Sequence, residues 1–267
     1  MIRKPSVANQ FYDGDPTKLR YELGRLIGPV KDATPTIAII TPHAGYMYSG
    51  HVAGSAYAKV DVPETCIVLG PNHIGLGVPA AVMAKGLWDM PMGTIPVEEG
   101  LAKEILSISK YLKDDIQAHL YEHSIEVQAP FLQYRQPNLS IVPICLSRLS
   151  YQACEDIGRA IAMAIETFKK PVLLVASTDM SHYEPKSQAE TKDRLAIEQI
   201  LALDPKGLFN TVFEMGISMC GVIPATVVLI AAIALGAVKA TLVDYSTSGD
   251  ITGDYQSVVG YAGLIIN

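Results

Sequence analysis

The chain has 267 residues, of which 49% are hydrophobic and 18% charged, with a formal net charge of -6. That length suits one large α/β domain, and residues 1–267 read as a single domain because no linker, repeat or low-complexity stretch divides them. The absence of a basic run or of Arg interleaved with aromatics excludes a nucleic-acid surface, and the scattered Cys66, Cys145, Cys154 and Cys220 exclude a zinc ribbon or a thioredoxin motif.

The opening Met1-Ile-Arg-Lys-Pro5 is charged and no apolar stretch follows it, so no signal peptide is expected. The chain reads as cytoplasmic with reduced thiols. Asp15-Pro16 pairs an N-cap with proline at the first helical position and predicts a helix over 16–27. A strand over 36–41 leads into Pro42-His43-Ala44-Gly45-Tyr46, and a helix over 50–59 follows with Ser49 as its cap. A strand over 65–69 leads into Gly70-Pro71-Asn72-His73, where Gly70 and Pro71 predict a sharp turn directly off the strand. A strand over 79–84 and helices over 97–110 and 121–134 come next, the last opened by Tyr121-Glu122-His123. A strand over 139–145, a helix over 151–168 and a strand over 171–177 end in Ser177-Thr-Asp179-Met-Ser-His182.

Helices over 186–202 and 206–214 precede a run from Met219 to Val238 that carries no charge. By length this run can span a bilayer. It lacks Trp or Tyr anchors and a flanking Lys/Arg cluster, so a buried helix over 221–236 lying on the sheet is expected, with no membrane partner. Strands over 239–245 and 257–266 close the chain, joined by the Gly- and Asp-rich Ser246–Tyr255.

Apolar strands alternating with helices predict an α/β fold: a mixed, mostly parallel sheet with helices on both faces. In such sheets the loops at the carboxyl ends of the strands gather on one edge and bind ligands. His43, His73 and His182 each follow a strand, so three imidazoles distant in sequence meet at one place. His43 and His73 follow consecutive strands, which are expected to be neighbours. Asp179 and His182, spaced i and i+3, fall on one side of a helical turn, where the carboxylate orients the imidazole for acid–base work or supports a metal ligand. The plain alternative is Asp179 as a helix cap with His182 in solvent.

His123 opens the expected helix 121–134, whose amides can receive an anionic group; a capped helix with its polar face in water is the alternative. Cys220 stands at the start of the apolar helix, where a thiol is expected to have a lowered pKa; the alternative is a buried free cysteine. Two histidines and one thiolate make a borderline-soft, three-ligand site suited to iron, copper or zinc rather than magnesium. Cys66 and Cys145 read as buried small hydrophobes, and His51 and His119 as structural or surface residues.

These residues carry a resemblance. The chain is similar to the Memo family, also called AmmeMemoRadiSam system protein B, from end to end. It opens on Arg3-Lys-Pro5-Ser-Val7-Ala8-Asn-Gln-Phe11-Tyr12, with Asn9 where the family usually has glycine. It continues through Pro42-His43-Ala-Gly-Tyr-Met-Tyr-Ser-Gly50, Gly70-Pro-Asn-His73, Glu122-His-Ser-Ile-Glu126, Thr178-Asp-Met-Ser-His-Tyr183 and Cys220-Gly221. It closes on Thr247-Ser-Gly-Asp-Ile-Thr-Gly-Asp254 and Ser257-Val-Val-Gly-Tyr-Ala-Gly263. The resemblance implies a fold like that of the LigB-type class III extradiol dioxygenases, non-haem iron enzymes in which two histidines and a carboxylate hold the metal. It places His43 and His73 as metal ligands, Cys220 in the third position, and His182 where those enzymes keep a catalytic histidine. Thiolate in place of carboxylate favours copper or zinc more than a carboxylate does. Animal members of the family are linked to receptor signalling and to copper, iron and redox handling.

Three functions compete. The first is a metal-dependent oxidoreductase holding iron, or copper or zinc, at His43, His73 and Cys220. His182 is then its acid/base, oriented by Asp179, and a small molecule enters over Tyr46, His123 and the Trp88 loop. The second is a metal-handling or redox-sensing protein without turnover. The third is a peptide-binding module on a former enzyme pocket. A homo-oligomer is compatible with each.

Overall fold

The computed structural model describes residues 1–267. In chain order its elements are β1 (Ile2–Arg3), α1 (Pro16–Ile27), β2 (Ala38–Thr41), α2 (Tyr46–Ala58), β3 (Thr65–Pro71), β4 (Ala80–Val82), β5 (Leu87–Met90), β6 (Gly93–Pro96), α3 (Glu99–Ile108) and β7 (Lys113–Asp114). There follow α4 (Ala129–Arg135), β8 (Ser140–Leu146), α5 (Tyr151–Phe168), β9 (Val172–Ser177), β10 (His182–Glu184), α6 (Lys186–Leu201), α7 (Pro205–Glu214), α8 (Val222–Ala234), β11 (Ala240–Thr247), α9 (Gly249–Thr252) and β12 (Val258–Ile266).

Continuous runs of Val, Ile, Leu and Ala make strands that can be buried on both faces. Four of them, β2, β9, β3 and β8, run parallel in that spatial order. Antiparallel strands flank them: β4 on β8, and β12 on β2, with β10 and β11 both paired to β12. A small separate sheet joins β1, β5 and β6. Helices cover both faces of the large sheet: α8 packs on β2, β3 and β9, and α2 on β2, β11 and β12. The fold is thus the expected mixed α/β sheet with helices, but only its four-stranded centre is parallel: both flanks join it antiparallel, so it is less parallel than the apolar runs predicted.

The run 222–234 is a helix buried from Val222 to Ala232, against the sheet and against α5 and α7. Its apolar residues meet protein on all sides, which is why it shows no amphipathic stripe. Gly158 lets α5 approach it closely: a Cβ there would lie 2.7 Å from Ile230 Cγ2 and 2.9 Å from the Val227 carbonyl oxygen. No helix is long and apolar enough to cross a membrane.

Four local expectations are corrected. β9 lies between β2 and β3, so the strands before His43 and His73 are not neighbours. The helix after His43 begins at Tyr46, with Gly45 at its N-cap; Ser49 lies inside it and donates to the Ala44 carbonyl. The turn off β3 comes at Asn72–Gly75, closed by the Gly75 amide on Asn72 Oδ1. Glycine at position 70 serves close packing instead, since a Cβ there would lie 2.4 Å from Ser124 Oγ. The helix expected over 121–134 is a 3-10 turn at Glu126–Gln128 followed by α4. Side-chain bonds compete with helix formation before it: the Ser124 amide donates to Glu122 Oε1, and Ser124 Oγ donates to the Pro71 carbonyl.

Candidate metal centre

His43 follows β2, and the residue is 2% exposed. The hydrogen-bond network assigns its tautomer. Ser177 Oγ has one proton and gives it to the Ser124 carbonyl at 2.6 Å, because a carbonyl can only accept. It already accepts from Gln128 Nε2 at 2.8 Å. Facing His43 Nδ1 at 2.9 Å it must accept again, so Nδ1 carries the proton and Nε2 keeps a free lone pair. Gln128 is itself held by Thr41, Tyr57 and the Pro42 carbonyl. Burial, reinforced by the neighbouring His123, His73 and His182, holds the His43 pKa well below its ordinary value. A neutral imidazole with a bare nitrogen is what a metal ion requires.

His73 follows β3 and is oriented by Glu122. Its Nδ1 donates to Glu122 Oε1 at 2.9 Å and its amide to Oε2 at 2.6 Å, so its Nε2 is also bare. Burial alone would raise the Glu122 carboxyl; the hydrogen bond and the proximity of His73, with His123 beside it, hold it down to about 2. His123 Nδ1 lies 3.5 Å from the same carboxylate, and its ring stacks on His73 at 4.6 Å between centroids. His43 meets both rings edge-on, at 5.2 and 5.4 Å. One ring nitrogen from each of His43, His73 and His123 lies within 4.8 Å of the other two, so the three can hold a metal ion. The carboxylate–histidine pair below the cluster is the support that metal-binding histidines use.

Cys220 reaches the same place from the start of α8, with Sγ 3.3 Å from His43 Nε2. The Asp179 amide donates to Sγ at 3.2 Å. No cluster that includes Cys220 meets the mutual distance that the three histidines meet. His123 therefore joins His43 and His73 in the mutually close set, while Cys220 lies against His43 and the Asp179 backbone. The lowered thiol pKa expected at a helix start is corrected too: burial, with Asp179 beside it, pushes the Cys220 thiol up. The other three cysteines are buried and free, Cys66 and Cys145 within strands.

Asp179 does not orient His182. Residues 178–181 form no helical turn, and Asp179 Oδ1 instead accepts the His43 amide at 2.8 Å, fixing the loop that carries that histidine. His182 Nδ1 donates to the Ser218 carbonyl at 2.9 Å, which leaves its Nε2 free to take a proton. His182 lines the same cavity, of about 680 Å3, as His43, His73, His123 and Asp179. Tyr46 does not line it: its hydroxyl donates to the Val127 carbonyl and its ring packs on Phe131. Trp88 is fully buried in β5 under the Arg3 guanidinium, so it forms no entrance.

Several functional positions escaped the reading of the sequence. Glu122 lay inside a motif built around His123, with adjacency as the only signal. Ser177 and Gln128 set the His43 tautomer from two elements, β9 and the turn before α4. Phe11, Tyr48 and Tyr261 line the cavity, and Phe11 lies 5.0 Å from His123.

Comparison with known proteins agrees with this arrangement in extent. Residues 3–265 match the family described as Memo-like protein. A MEMO1 family protein of Methanopyrus kandleri is 41% identical over 99% of both chains. One from Methanothermobacter thermautotrophicus is 41% identical over 99% of this chain and 100% of its own, and one from Aquifex aeolicus is 41% identical over 99% and 98%. Among solved structures, an uncharacterized protein from Escherichia coli K12 shares the fold, with a TM-score of 0.51 at 16% identity over 86% of this chain and 99% of that one. A family match over residues 3–265, with identity at this level along nearly the whole length, means that the chain belongs to the Memo family.

Proposed function

We propose that the chain is a metal-dependent oxidoreductase acting on a small molecule, with iron in the site and copper or zinc as metals that the same donors accept. The observation that carries this is the convergence of three imidazole nitrogens within 4.8 Å, two of the rings having their outer nitrogen already hydrogen-bonded. His43 and His73 hold the ion, with His123 beside them. Cys220 joins as a soft donor, its sulfur 3.3 Å from His43 Nε2. That spacing suits two donors flanking one ion with bonds of about 2.0 and 2.3 Å. Iron or copper held there would supply Lewis acidity and one-electron chemistry, and zinc Lewis acidity alone. His182 Nε2 takes a proton from substrate in the cavity, and Asp179 positions His43 through its backbone.

An alternative, metal handling or redox sensing without turnover, is favoured by the direct contact of an oxidisable thiol with a ligand. Metal content of protein purified without chelator tests the site. Near-stoichiometric metal is expected in the wild type and in His182→Ala, and loss in His43→Ala and His73→Ala. Metal retained in both of the latter variants would sink the reading. Binding calorimetry in buffers of different ionisation enthalpy tests Cys220. One proton is expected to leave per ion bound, and none in Cys220→Ser. Oxygen uptake over a panel of catechols then separates turnover from handling.

A further inference from the structure

His73 belongs to the walls of two cavities. One is the chamber that holds the other histidines; the second, of about 370 Å3, also has Cys220 in its wall. Leu146, Phe213, Val222 and Ile223 make much of the second cavity apolar. Its one permanently charged side chain is Arg148, and no acid lines it. The larger chamber has neither Lys nor Arg in its wall.

An exposed arginine is ordinarily solvated surface. Arg148 differs in two ways. No carboxylate lies within ion-pair distance of it and no group of the protein accepts its hydrogen bonds, in a chain with an excess of acids. Its guanidinium is carried over the Phe213 ring, 5.3 Å from the centroid, which restricts where its donors point. The amides of Val222 and Ile223 open α8 in the same wall, where no acceptor exists within the helix itself. A cation without a partner, held at an apolar cavity that shares a proposed ligand with the metal centre, matches an anionic group that presents two adjacent acceptor oxygens. A guanidinium receives such a group through two parallel hydrogen bonds.

We infer that this cavity is an anion-binding subsite, taking the carboxylate or phosphate group of a small, otherwise apolar substrate whose reacting end lies at the histidines, with Arg148 as the specificity-determining residue. The link to a reacting end rests on the metal-centre reading; the anion selectivity does not.

The test uses the full chain stripped of metal, so that no anion can coordinate an ion. Phenyl phosphate, benzoate and uncharged benzyl alcohol are titrated while the methyl resonances of Leu146, Val222 and Ile223 are followed. Both anions should shift those methyls and bind roughly tenfold more tightly than the alcohol, the worth of one charge-assisted hydrogen bond; the tighter of the two identifies the group. Arg148→Met should bring the anions down to the alcohol's affinity with the rest of the spectrum unchanged, and Arg148→Lys should keep part of the difference. Equal affinity for all three probes, or anion affinity unmoved in Arg148→Met, overturns the subsite. Metal content of Arg148→Met is measured in parallel and should equal the wild type. Metal binding without anion selectivity leaves the metal centre standing and ends the subsite; selectivity in a protein that binds no metal does the reverse.

Discussion

At the scale of single residues, the cluster could receive an ion because the hydrogen bonds to His43 and His73 place a proton on the far side of each ring. Ser177 and Glu122 take the Nδ1 protons of His43 and His73 and leave Nε2 of both facing inward. Glu122 accepts the His73 ring, the His73 amide and the Ser124 amide with two oxygens. Glu122→Gln replaces one of those oxygens by an NH2 group facing a donor. Metal affinity is expected to fall by about 10–100-fold, with the far-ultraviolet spectrum unchanged. Competition with a metallochromic chelator reads it, and unchanged affinity would show that the carboxylate has no part in ligation. Glu122 was visible in the sequence only as a neighbour of His123, because nothing local says that a carboxylate will lie under a histidine that is 49 positions earlier.

At the scale of elements, α8 and α5 make the most extensive helix–helix contact, and Gly158 lets them approach closely. Alanine is favoured over glycine in a helix by about 1 kcal/mol. At position 158 the added methyl meets the Val227 carbonyl at 2.9 Å as well as Ile230. The backbone cannot yield as a side chain does, so overpacking, at about 1–3 kcal/mol, outweighs the propensity gain. Gly158→Ala is therefore expected to lower stability in urea unfolding. Adding Ile230→Ala should relieve only the part of the strain due to Ile230. A stabilised Gly158→Ala protein would show that the helices can slide apart.

At the scale of the whole molecule, the N-terminal segment is tied across the site by one buried carboxylate. Glu126 accepts from the Ser6 and Val7 amides, the Tyr12 hydroxyl and the Arg3 guanidinium, and both Arg3 and Glu126 are fully buried. This holds Phe11 over His123. Glu126→Ala leaves the Arg3 charge buried and unpaired, and is expected to cost about 3–5 kcal/mol in denaturant unfolding. It should also free residues 6–12 to fast amide exchange. A loss below about 1 kcal/mol would mean that water reaches Arg3.

Part of the dependence of stability on acid comes from a buried histidine outside the cluster. His119 is fully buried, and burial, reinforced by the Arg3 charge, lowers its pKa to about 4. The unfolded chain binds that proton near pH 6.5, so the folded state is favoured above 6.5 and loses stability as pH falls toward 4. His119→Phe removes the titration. Relative to the wild type it should gain about 2 kcal/mol between pH 7 and pH 4.5. Parallel losses in both proteins would place the acid sensitivity elsewhere.

What the sequence determined by itself is what local chemistry controls. Asp15 before Pro16 caps α1 as expected, by accepting from the Thr17 and Lys18 amides. The apolar runs at 65–71, 140–146 and 172–177 are strands, and 151–168 is a helix, because periodicity and strand-forming residues act within a few positions. His43 and His73 arrive at one edge because parallel strands deliver their following loops there. Only the tertiary structure decided which strands are neighbours, and so that β9 lies between β2 and β3 and brings Ser177 and Asp179 to the His43 loop. Tertiary structure likewise turned 121–125 into a loop and so made His123 the third imidazole. It also paired His182 with Ser218 rather than Asp179. Each of these depends on hydrogen bonds between residues 36 to 136 positions apart, and no pattern confined to one segment can encode them.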